Sequence, residues 1–234
     1  VAAVEEGRAV YSNIRKFTTY ILTSNTPEAV PFIAFAFSGG AIPIALDVMH
    51  ILAIDLGTDL APALALGAEP PEPGLMDQVP RRKSQHVIDR HLLTRAYLWL
   101  GPLQAAFVMA AFFGAYRLAG YQGLNGLPSA GTDYMAATAM ALAAVVTTQI
   151  GNLFAQRSET VSLFRTGLSG NRLLWWGILS EVVIVAALTY LPFLNEVVGT
   201  APFPPQGWLW LLLGIPLLPL IDEVRKYSYR RRIT

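Results

Sequence analysis

The sequence predicts an all-α membrane protein: a bundle of six transmembrane helices, both termini cytoplasmic, the first helix extended as a cytoplasmic stalk. Three observations predict it. Hydrophobic residues make up 53% of the 234 and charged residues only 14%, against about 25% charged in a soluble domain. Six stretches, roughly 17–38, 45–66, 96–118, 134–155, 173–194 and 208–226, reach the length of about 20 apolar residues that a bilayer core demands. With the N-terminus placed inside, every lysine and arginine except Arg117 falls on the inner side of these spans, as the positive-inside rule requires. Shifting the count by one helix destroys that asymmetry.

The first helix is expected to start well before the membrane. Glu5 to Phe17 mixes charged and apolar residues and contains no breaker except Gly7. A helix from about residue 4 to 38 is about 50 Å long, whereas the bilayer core takes only about 30 Å. Residues 1–16 therefore read as a stalk that joins the membrane part to something outside this chain. Val1-Ala2-Ala3-Val4 offers neither an initiator Met nor a defined cap, so the chain reads as starting inside a longer protein. No basic leader with a small-residue cleavage site opens it.

Ser38-Gly39-Gly40-Ala41-Ile42-Pro43 is a turn that folds the first two spans into a tight hairpin. Segment 67–95 is polar and carries Pro70, Pro71, Pro73 and Pro80, which predicts a cytoplasmic loop with little regular structure. Segments 119–133 and 195–207 are Gly/Pro-rich loops on the opposite side. Trp99, Trp175, Trp176, Trp208 and Trp210 lie near span ends, as an aromatic belt does. Asp222 and Glu223 followed by Arg225 and Lys226 read as an interfacial helix end, and Arg230–Arg232 as an anchor to anionic lipid. There is no internal repeat, and residues 1–234 read as one transmembrane domain.

Composition also excludes functions. A net charge of +1 gives no field to recruit nucleic acid. The chain has no cysteine, which removes disulfides, thiolate metal sites and cysteine nucleophiles. No phosphate-binding glycine loop or catalytic triad is present. His50 reads as a packed or interfacial residue. His86 and His91 have no thiolate or carboxylate support for zinc.

Four acids fall at membrane depth: Glu28 in the first span, Asp55 and Asp59 in the second, and Glu181 in the fifth. Each costs about 2.5–3.5 kcal/mol to insert, so together they cost on the order of 10 kcal/mol. Such groups must face the interior and meet protons, cations or one another. Asp55 and Asp59 are four apart, hence on one helical face. Pro62 cannot donate to the carbonyl of Thr58, and Pro27 and Pro31 free those of Thr23 and Pro27 in the same way. Broken helices at this depth are tolerated where they line a site. Carboxylates, freed carbonyls, Ser24, Asn25 and Thr58 form an all-oxygen set suited to hard cations. Gln149 and Asn152, three apart in the fourth span, either extend this set or act as interhelical hydrogen-bonding groups.

With these residues in view, the chain resembles the fifth to tenth membrane helices of a P-type cation-transporting ATPase, closest to the sodium/potassium and proton/potassium pump type. Glu5-Glu6-Gly7-Arg8-Ala9-Val10-Tyr11 looks like the stalk entering the family's fifth membrane helix. Thr23-Ser24-Asn25-Thr26-Pro27-Glu28 resembles that helix's ion-binding turn, and Asp55-Leu56-Gly57-Thr58-Asp59 the sixth-helix motif. Asp222-Glu223-Val224-Arg225-Lys226 looks like the sodium-pump end. The resemblance implies that Asn25, Glu28, Asp55, Thr58 and Asp59 are cation ligands. It implies that Tyr20, Thr23, Ser24, Gln149, Asn152 and Glu181 support them, with Asn152 standing where the sodium pump's eighth helix has an acid.

The expected function is the transport-domain portion of an ATP-driven pump for Na⁺, K⁺, H⁺ or Ca²⁺, multi-pass in the plasma or cell membrane. The expected partners are the bilayer, the transported cation and the remaining N-terminal pump domains. No cofactor is expected in this chain; ATP and Mg²⁺ belong to the missing domains, so the chain alone is not expected to be catalytic. The alternative is a self-standing secondary transporter, or a structural or regulatory membrane subunit without ATPase activity.

Overall fold

The computed structural model describes residues 2–71, 74–77, 86–124, 126–168 and 170–231. Val1, Pro73, Pro80, Arg81, Arg82, Lys83 and Arg232, which entered the sequence reading, lie outside the described residues. Among the described residues every regular element is a helix.

Helix α1 runs unbroken from Ala2 to Phe37, with Pro27 and Pro31 inside it. At 36 residues it is about 54 Å long. Its buried positions include Ala9, Asn13, Lys16, Tyr20, Ser24, Pro27 and Pro31, a stripe at helical spacing. The stripe is largely polar, while Val4, Val10, Ile14, Ile33, Phe35 and Phe37 are exposed. The helix is thus amphipathic in the reverse sense, polar toward its neighbours and apolar outward.

Asp47 caps α2 (Val48–Gly67) in a reciprocal box: Asp47 Oδ1 accepts from the His50 backbone N–H at 3.0 Å, and the Asp47 N–H donates to His50 Nδ1 at 3.2 Å. Within α2, residues Ile54–Thr58 form a π turn. Helix α3 (Arg90–Leu118) is capped by Asp89, whose Oδ1 accepts from the Leu92 N–H at 2.8 Å. It starts six residues before the expected span and holds a second π turn, Arg95–Leu100. Each π turn includes the residue four before a proline, Thr58 for Pro62 and Leu98 for Pro102. A proline lacks the N–H for that carbonyl and crowds it, so the turn widens.

Helix α4 (Thr132–Gln156) is the centre of the bundle. Every residue from Ala137 to Gln156 is buried, and α1, α2, α3, α5 and α7 all pack on it. Its alanines and Gly151 permit that crowding. A side chain at Gly151 would run into the carbonyls of Ile215 and Gly214.

The last two spans depart from the sequence reading. Helix α5 (Arg172–Tyr190) stops before Pro192, which drives Leu191 to φ −85°, ψ 117°. A separate short helix, Pro192–Val198, then occupies part of the segment expected to be loop. The expected single span 208–226 is two helices, α6 (Pro205–Leu211) and α7 (Gly214–Arg231). The break falls at Leu212, whose carbonyl faces the missing N–H of Pro216.

The end of the bundle that gathers Arg15, Arg95 and Arg157 is tied by ion pairs. Arg15 Nη1 lies 2.8 Å from Asp89 and its Nε 3.1 Å from Glu159. Of the residues expected at an interfacial helix end, Asp222 and Lys226 are buried, while Glu223 and Arg225 are half-buried. Asp222 is fully buried and receives Arg95 Nη2 at 2.8 Å and Arg225 Nε at 2.7 Å. Lys226, also buried, reaches the Ala155 carbonyl at 3.3 Å. Arg95, absent from any apolar-run argument, supplies the neutralising charge.

Candidate cation site

The π turn in α2 and the prolines in α1 bring three carboxylates together. One oxygen each from Glu28, Asp55 and Asp59 lies within 4.8 Å of the others. Glu28 and Asp59 are buried, at 7% and 3% exposure, while Asp55 sits on the exposed side of the cluster. A separation this short between acids in a low-dielectric interior is strongly repulsive. A proton or a cation between the oxygens relieves that repulsion. Glu28 Oε1 is buried and, among the described residues, accepts no hydrogen bond.

A second tier extends inward from Asp59. Tyr20, fully buried, points its hydroxyl at Glu181 Oε1 (3.2 Å) and Asp59 Oδ1 (3.5 Å). A phenol has one proton to give, so Tyr20 can satisfy only one of the two carboxylates at a time. Ser24 Oγ accepts from Gln149 Nε2 at 3.3 Å. Asn152 Nδ2 donates to the Tyr20 carbonyl at 3.2 Å, just upstream of the proline-disrupted turn of α1. Gln149 Oε1 and Glu181 Oε2 are buried acceptors without a donor among the described residues, so this tier also has spare oxygens.

Not every expected residue joins the cluster. Asn25 is exposed on the outer face of α1. Thr23 and Thr58 are fully buried, but their hydroxyls donate back to the Thr19 and Ile54 carbonyls at 2.7 and 3.1 Å. They can offer only oxygen lone pairs. Gln156 was missed by the sequence reading; it donates to Asn152 Oδ1 at 2.8 Å and orients that amide. The signal was available, since Gln149, Asn152 and Gln156 repeat at spacings of three and four along one face of α4.

Residues 43–228 match the family described as "Cation transporting ATPase, C-terminus". The chain belongs to this family. It is also similar to the sodium/potassium-transporting ATPase subunit alpha-4 of Rattus norvegicus, 31% identical over 261 residues that cover 99% of this chain and 25% of the relative. The human subunit alpha-4 is 30% identical over 260 residues, covering 99% of this chain and 25% of the relative. The subunit alpha of Hydra vulgaris is 30% identical over 262 residues, covering 99% and 24%. The chain spans about a quarter of the length of the curated relatives it matches.

Among the described residues of this family member, five helical stretches are long and apolar enough to cross a membrane: Val48–Gly67, Arg90–Leu118, Thr132–Gln156, Arg172–Tyr190 and Pro205–Ser228. With the family, they make it an integral multi-pass membrane protein. Helix α1, whose buried stripe is largely polar, is not among the five.

Proposed function

We propose that this chain forms the ion-translocating portion of an ATP-driven cation pump, with Glu28, Asp55 and Asp59 as the core of the transport site. The observation that carries the reading is the trio of carboxylates within 4.8 Å, drawn from a helix that holds two prolines near Glu28 and from a π turn around Asp55. In this reading the cation is cargo. Glu28 and Asp59 remove its hydration shell, Asp55 meets it from the exposed side, and Thr58 supplies lone pairs. Tyr20, Thr23, Ser24, Gln149, Asn152 and Glu181 hold the second tier in register.

On this reading α1 joins the five as the first of six spans, both termini face the cytoplasm, and residues 1–16 form the stalk. ATP and Mg²⁺ act on pump domains outside this chain, and the stalk carries their motion to Glu28. A shift of α1 along its axis then changes the distance from Glu28 to Asp55 and Asp59, and with it the affinity for cation. The plasma membrane is the proposed location.

The test is cation-dependent phosphorylation of the full-length protein. Glu28→Gln and Asp55→Asn are expected to raise the cation concentration for half-maximal response by tenfold or more. An unaltered cation dependence in both variants refutes the site.

A further inference from the structure

A groove of about 370 Å³ opens between the amino end of α3 and the carboxyl end of α7. It belongs to none of the ion-site residues. One wall is apolar, made by Trp99 and Val224, which are 40% and 62% exposed. Arg95 and Arg225 also line it, with the exposed His91. Ser228 and Thr94 add hydroxyls at the rim.

The charges beneath the groove do not cancel. Arg95 and Arg225 both hold Asp222, and Lys226 lies 3.5 Å from that same carboxylate. Lys226 and Arg230 also share Glu223, at 3.6 and 3.8 Å. Arg95, Arg225 and Lys226 thus share two carboxylates. Among the described residues, the hydrogen bonds of Arg95 and Arg225 engage Nε and Nη2. Nη1 of each guanidinium is outside these bonds.

The groove is also continuous with apolar surface. Leu98 lies one turn deeper than Thr94 on α3, and Leu220 one turn deeper than Val224 on α7. They are 74% and 54% exposed. A ligand seated here has an anionic head toward the guanidiniums and a hydrocarbon tail along Leu98 and Leu220. Trp99 stands between them, at the depth where indole is favoured. The volume is in the range of specific ligand sites.

We propose that this groove binds one anionic phospholipid, its phosphate held by Arg95 and Arg225 and one acyl chain laid over Trp99 and Leu98. The assignment is independent of which cation the protein moves.

The experiment is native mass spectrometry of the delipidated full-length protein, titrated with phosphatidylglycerol or phosphatidylcholine. Retention of phosphatidylglycerol about tenfold tighter than phosphatidylcholine is expected, as two basic side chains at a membrane surface provide. Ser228→Trp changes an exposed residue and fills the groove. It is expected to abolish the preference while leaving the thermal midpoint in lipid-free detergent unchanged. Arg225→Gln is expected to weaken phosphatidylglycerol binding and to reduce its salt dependence. Equal binding of the two lipids, or full retention in Ser228→Trp, overturns the proposal. Displacement of phosphatidylglycerol by millimolar inorganic phosphate overturns it in favour of a free-anion site.

Discussion

Removing Arg157 tests the packing at the basic end of the bundle most directly. Glu69 follows α2 and is 6% exposed; Arg157 ends α4 and is 2% exposed. Glu69 Oε1 receives Arg157 Nη2 at 2.6 Å and Nε at 2.8 Å, while Oε2 receives Asn171 Nδ2 at 2.8 Å. Arg157 Nη1 also donates to the Gly167 carbonyl. Arg157→Gln leaves Glu69 with one donor and an uncompensated buried charge. Breaking a buried pair from one side costs about 3–5 kcal/mol, a large part of the about 5–15 kcal/mol that holds a domain folded. Glu69→Gln strands the guanidinium and is expected to cost a similar amount. The double variant buries two amides and no charge, so its cost should fall to about 1–2 kcal/mol. Reversible unfolding of the full-length protein in mixed micelles, followed by tryptophan fluorescence, gives all three values. A cost under about 1 kcal/mol for Arg157→Gln, or a double variant that costs the sum of the singles, refutes the reasoning.

Two further outcomes follow from packing and charge. A Cβ at Gly177 would lie 3.0 Å from Pro62 Cα and 3.1 Å from Pro62 N, so Gly177→Ala drives α5 from the α2 backbone and is expected to cost about 1–3 kcal/mol. The same change at Gly114, where the nearest neighbour is Met140 Cε at 3.9 Å, is expected to be neutral or stabilising; equal effects at both sites in thermal unfolding would contradict the packing. Asp89 is partly buried, which opposes its charge, but the Arg15 hydrogen bond and the Leu92 N–H outweigh that and lower its pKa from the usual carboxylate value. Its contribution is therefore complete above about pH 4 and lost as pH falls through the lowered value, and Asp89→Asn is expected to flatten the acid limb of the stability–pH curve.

The all-helical, membrane-spanning class was legible because lipid imposes a length on each apolar run, and five helical stretches among the described residues have that length and apolarity. The breaks were less legible. Pro62, Pro102 and Pro216 announce themselves in sequence, but whether the helix widens, as at Ile54–Thr58, or divides, as at Leu212 and Leu213, depends on what packs against it. Glu28 and Asp59 could be read from their depth and flanking prolines. That Asp55 is exposed while Asp59 is buried could not, since the two sit four residues apart and differ only through tertiary neighbours. The Arg95–Asp222 pair joins positions 127 apart, and no local pattern connects them. Gln156 was within reach of the same spacing that picked out Gln149 and Asn152.

The reversed amphipathicity of α1 bears on how the protein is made. Its inward stripe of Asn13, Lys16, Tyr20, Ser24 and Glu28 has no favourable contact with hydrocarbon, and the partners of the Ser24 hydroxyl and the Tyr20 carbonyl, Gln149 and Asn152, sit on α4, more than a hundred residues further along the chain. During synthesis α1 leaves the ribosome before those partners exist. On the six-span topology it cannot settle in the bilayer by partitioning alone, and it must wait in a hydrated or chaperoned setting until α4 has been delivered. Biogenesis of the site then becomes order-dependent. A mutation in α4 that never touches a cation, such as one at Asn152, would surface first as a failure of α1 to integrate, and only afterwards as a change in transport.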